Sequence, residues 1–131
     1  MNKNKLLKTI LWIVLITEQV FALSIPDYYK IDIEVMKISL DASNKRLVCL
    51  KRGCPLKEQY AIYDKMQESI NAVYHHANTT ASKLVGFYTK HVIDMKKFYE
   101  ENSMLQEKYK TLFQDIKKTN RQIDQYTKAQ K

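Results

Sequence analysis

Residues 55–77 read PLKEQYAIYDKMQESINAVYHHA. Leu56, Tyr60, Tyr63, Ile70, Tyr74 and Ala77 fall in one row of alternating four- and three-residue steps, with Gln67 as its polar member. Side chains at these steps share one face of an α-helix. Pro55 suits the first turn, where its missing N–H breaks no helical bond. Carried on to Gln130, the same row has 22 positions, of which 17 are apolar when Ala and Tyr are counted. The exceptions are Gln67, His91, Asn102, Thr119 and Gln130. Asp94/Lys97, Glu107/Lys110, Asp115/Lys118 and Asp124/Lys128 lie off the row at helical spacing and mark a wet face.

A stripe of this length has to be covered. One continuous helix would be a rod of about 110 Å at 1.5 Å per residue, closed by a second chain. Folding back is the preferred reading, because six tyrosines lie on the row and their hydroxyls fit poorly in a tight two-stranded seam. Two places read as helix boundaries. Asn78-Thr79-Thr80 has low helix propensity, and Ser103 with Gln106 matches a capping box. The expected helices are 55–77, 81–101 and 104–129.

Upstream, residues 28–50 carry two patterns at once. Ile31, Ile33 and Val35 alternate with polar residues, as do Ile38 and Leu40, and the polar run 41–45 resembles a turn. This reads as a β-hairpin over 30–51 with a bulge at Val35-Met36. Ile31, Val35, Ile38 and Ala42 also keep helical spacing, and Pro26 after Ser24 suits a first turn. A lone hairpin is marginal in water, so a helix over 26–41 is favoured. The fold class is mainly α: a small helical bundle or helical hairpin, with heptad-patterned helices over about 55–130.

The N-terminus bears on the compartment. Lys3, Lys5 and Lys8 precede the apolar run Ile10–Ile16, and Val20-Phe21-Ala22 suits cleavage. This is the layout of a secretory signal peptide over residues 1–22, leaving residues 23–131 as one mostly helical domain. Thr17-Glu18-Gln19 stops the run short of membrane length, and no second run approaches it. Removing the leader takes Lys+Arg from 22 to 19 and Asp+Glu from 14 to 13, for a net charge of +6. The expected product is extracellular.

Export also assigns the cysteines. Cys49 and Cys54 are the only two, and thiols of exported chains pair. Zinc needs about four ligands, and C-x4-C is not the C-x-x-C of thiol–disulfide enzymes. A short intrachain loop is expected, with a bridge between chains as the alternative. Asn78-Thr79-Thr80 is a sequon, which makes Asn78 a candidate glycosylation site.

The chain lacks a glycine-rich phosphate loop, a nucleophile elbow and a metal-ligand signature, so neither catalysis nor a cofactor is expected. His75 and His76 are adjacent on a helix and chelate poorly, while His91 falls on the stripe. The strongest functional signal is charge. No acidic residue occurs from Ala42 to Lys57, whereas Lys45, Arg46, Lys51, Arg52 and Lys57 do. Lys117, Lys118, Arg121, Lys128 and Lys131, against Asp124, form a second basic group. Such patches suit a protein receptor or an acidic polysaccharide. Nucleic acid is not expected to meet an exported chain. The function read from the sequence is a secreted, non-enzymatic interaction protein. The alternative is an extracellular coiled-coil protein that self-associates.

Overall fold

A computed structural model describes residues 22–129. The expected leader lies outside these residues except for Ala22, as do Gln130 and Lys131. The described residues form five helices and no strand: α1 Ile25–Lys51, α2 Leu56–His76, α3 Ala81–Lys90, α4 Val92–Glu100 and α5 Ser103–Lys128. They make a small helical bundle. The stripe therefore folds back within one chain instead of closing a two-chain rod.

α1 is the central element, and α2 and α5 both pack along it. Ser24 caps its start: the Ser24 Oγ accepts from the Asp27 N–H at 3.2 Å, and the Asp27 carboxylate accepts from the Ser24 N–H at 3.3 Å. Pro26 occupies the first turn. The β-hairpin over 30–51 does not form, and the helix continues ten residues past the expected end at Asp41. Burial on two faces explains the alternation that suggested strands. Tyr29, Ile33 and Leu47 are buried on one face, and Ile31, Ala42 and Cys49 on another. Two apolar stripes on one helix, offset by two residues, imitate period two. The polar run 41–45 is held in the helix: Ala42 is buried, Lys45 pairs with Asp41 at 2.6 Å, and Asn44 accepts from the Thr119 hydroxyl at 2.9 Å.

α2 runs antiparallel to α1. The trough between them is lined by Ile38, Ala42 and Val48 on one side and by Met66, Ile62 and Glu58 on the other. α5 runs parallel to α1, since Asp32 meets Tyr109, Asn44 meets Thr119, and Leu50 clusters with Ile123. The expected break at 78–80 is present, and Thr80 caps α3 by accepting from the Lys83 N–H at 3.2 Å. The break near 102 is present too, with a different cap. Asn102, not Ser103, accepts from the Leu105 N–H at 3.0 Å. Gln106 reaches back to donate to the Tyr99 and Glu100 carbonyls.

The expected single helix 81–101 is interrupted at His91, whose N–H is shared between the Phe87 and Tyr88 carbonyls. Beyond this joint, α4 lays Met95 into the core with no exposed surface. There Met95 meets Tyr29, Ile33, Leu105, Tyr109 and Leu112. Along α5 the seam is buried at Leu105, Tyr109, Leu112, Thr119 and Ile123, half-buried at Ile116 and exposed at Tyr126. Of the four acid–base pairs read from spacing, Glu107–Lys110 closes, at 3.9 Å.

Candidate functional site

The turn between α1 and α2 is built by its backbone. The Gly53 N–H donates to the Leu50 carbonyl and the Cys54 N–H to the Cys49 carbonyl, the paired bonds of a Schellman turn. That turn needs a left-handed residue after the cap, and Gly53 supplies it at φ 69°. Cys49 and Cys54 are disulfide-bonded within the chain, with Cα atoms 5.1 Å apart. Cys49 is buried, whereas Lys51 and Arg52 are exposed on the turn.

All five basic residues singled out in the sequence are exposed, and they do not act as one uniform patch. Lys45 pairs with Asp41, and Arg52 pairs with Glu58. The acid-free tract ends one residue short of each of these carboxylates, and the helical turn brings them back. Arg46, Lys51 and Lys57 make no ion pair among the described residues. Lys45 and Arg46 are adjacent on α1 and so project about 100° apart.

Packing adds a feature that the linear sequence hides. Because α1 and α5 are parallel, their C-terminal ends share one pole, held by Leu47, Leu50 and Ile123. The α5 cations Lys117, Lys118, Arg121 and Lys128 therefore gather at the pole that carries Lys51 and Arg52. All four are exposed. Beside the pole, the trough between α1 and α2 has a volume of about 670 Å³. Ile38, Ala42, Val48, Ile62 and Met66 floor it, with the Asp41–Lys45 and Arg52–Glu58 pairs on its rim.

The opposite pole is aromatic. The Tyr29 hydroxyl donates to the Met95 carbonyl at 2.7 Å, and the Tyr109 hydroxyl donates to the Asp32 carboxylate at 2.5 Å. Burial, and then the Asp32 carboxylate, push Tyr28 up to about 12. Burial and the hydrogen bond to Asp32 raise Tyr109 well above the ordinary tyrosine value. Sequence reasoning passed over Asp32, which looked like one polar member of an alternating run. Its only signal was a carboxylate one turn after Tyr28.

Asn78 is exposed at the end of α2 in a left-handed conformation, φ 50°. The Thr80 hydroxyl of its sequon caps α3. His75 and His76 are exposed, while His91 is half-buried with its ring 4.5 Å from that of Phe87. Among the described residues, one group of three metal-ligand types converges, Cys49, Cys54 and Glu58. Both of its sulfurs are committed to the disulfide.

α2 departs from the stripe reading. Ile70 is buried, but Leu56, Tyr60 and Tyr63 on the same row are 60%, 61% and 55% exposed. The row is covered in its C-terminal half and open in its N-terminal half. No described helix is long and apolar enough to cross a membrane. No protein-family description matches this chain, and no curated protein or solved structure matches it.

Proposed function

We propose that the chain is exported with removal of residues 1–22 and acts outside the cell as a non-enzymatic binding factor. Its basic pole contacts an acidic partner, either a receptor surface or a sulfated polysaccharide. The observation that carries this reading is the convergence of two cationic groups, 45–57 and 117–128, on one end of the bundle. Arg46, Lys51 and Lys57 there lack internal ion pairs among the described residues. Such a concentration of one sign attracts polyanions and speeds their encounter. The disulfide supports the reading by fixing the turn that carries Lys51 and Arg52. A glycan on Asn78 is part of the proposal, and it would stand at the pole away from the contact.

The test is salt elution from immobilised heparin. The protein is expected to be retained at physiological ionic strength, and Lys51→Ala/Arg52→Ala to elute at lower salt. Elution of the unaltered protein in the void volume removes the sulfated polysaccharide as the partner. Unchanged retention of the double variant removes the turn from the contact.

A further inference from the structure

The open half of the α2 stripe fits a second copy of this chain. We infer that residues 56–67 form an antiparallel α2–α2 contact across a two-fold axis. Leu56, Tyr60, Tyr63 and Gln67 occupy the seam positions, and the three apolar members are more than half exposed. Tyrosines suit such a seam at a protein surface, since they bury a large ring at low entropy cost and leave the hydroxyl at the wet edge.

The flanking charges select the occupant. Lys57 and Asp64 are one heptad apart on the same flank of the stripe. Both are exposed, and neither makes an ion pair among the described residues. An antiparallel copy that sets Tyr60 against Tyr63 of the second copy sets Leu56 against its Gln67. The same register brings Lys57 beside Asp64 of the second copy, and the two-fold repeats each contact. An isologous contact has to be self-complementary in this way. A foreign partner would have to supply the same pattern independently. The net charge of +6 on residues 23–131 opposes association only weakly, because at physiological salt it is screened beyond about 8 Å. The cysteines are bonded within the chain, so this dimer is non-covalent.

Sedimentation equilibrium of the purified protein over a range of concentrations tests the inference. A reversible monomer–dimer equilibrium is expected. Tyr60→Ser/Tyr63→Ser should be monomeric with unchanged helical circular dichroism, since both positions are exposed. Lys57→Asp and Asp64→Lys should each weaken association roughly tenfold, by setting like charges opposite one another at two places. The double reversal Lys57→Asp/Asp64→Lys should restore it. A protein that stays monomeric throughout overturns the inference and leaves the stripe to a foreign partner. Association indifferent to Tyr60→Ser/Tyr63→Ser, or a double reversal no better than the singles, overturns it as well. Lys57 enters both proposals, so the dimer is judged on Tyr60→Ser/Tyr63→Ser and the polyanion contact on Lys51→Ala/Arg52→Ala, and the two fail separately.

Discussion

Cys49 and Cys54 are joined twice: the Cys54 N–H donates to the Cys49 carbonyl at 3.0 Å, and the same two residues share the disulfide. In a Schellman turn these are the two positions where an apolar contact commonly closes the helix end. The covalent bond stands in for that contact. Because the backbone turn is complete without it, the disulfide reinforces a shape that exists anyway. A closed loop this small restricts the unfolded chain modestly, by about 2 kcal/mol. Reduction, or Cys49→Ala/Cys54→Ser, is expected to lower stability in urea unfolding by no more than that. Circular dichroism should show the helices intact.

Gly53 carries the turn's one demanding torsion. At φ 69° an L-residue is strained, yet nothing lies within 4 Å of the place a Cβ would take. The cost of Gly53→Ala is therefore conformational alone, about 1 kcal/mol. Gly53→Asn should cost less, since asparagine tolerates this region and Asn78 already adopts it at the end of α2. Urea unfolding of the two variants side by side checks the order.

Alkaline pH should unfold the aromatic pole. Tyr28 is raised from 10.0 to about 12, and Tyr109 is raised too. A tyrosine raised in the folded state favours folding fully while the unfolded tyrosine is still protonated. That contribution fades as the unfolded chain deprotonates. Stability is expected to be unaffected by these groups below pH 10, and to fall between pH 10 and about 12. Tyr109→Phe should flatten part of this fall. At neutral pH it should cost roughly 1.5–3 kcal/mol, because it removes a hydrogen bond to a charged acceptor. Unfolding midpoints across pH 8–11.5 measure both effects.

Much of the bundle is legible in the residues, and the departures have identifiable causes. α5 carries one buried stripe, shared between α1 and α4, so spacing alone identified its buried residues. α1 is buried on two faces, and its superposed stripes mimicked strand alternation. The run 41–45 looked like a turn because Asp41, Asn44 and Lys45 are polar. Lys45 reaches Asp41 only if the run is helical, and the Thr119 partner of Asn44 shows only once the helices are placed. The joint at His91 has no Gly or Pro to announce it. For the candidate site, the five cations were legible. Neutralisation of Lys45 by Asp41 needs only that the run be helical. The Arg52–Glu58 pair depends on the turn, and the arrival of the α5 cations at the same pole on helix direction.

Ile93 and Met95 lie two residues apart on α4 and face opposite ways. Ile93 is 81% exposed, whereas Met95 has 0% exposure at the meeting of α1, α4 and α5. Removing the Met95 side chain leaves a cavity bordered by Tyr29, Leu105, Tyr109 and Leu112, on elements too constrained to collapse fully. Met95→Ala is expected to cost about 2–5 kcal/mol. Ile93→Ala should stay within about 0.5 kcal/mol of the unaltered protein, since a side chain already in water loses little. Residues two apart on a helix project about 200° apart, so α4 sets Met95 on the core and Ile93 in water. Matched urea titrations of the two variants therefore test which face of α4 meets the core.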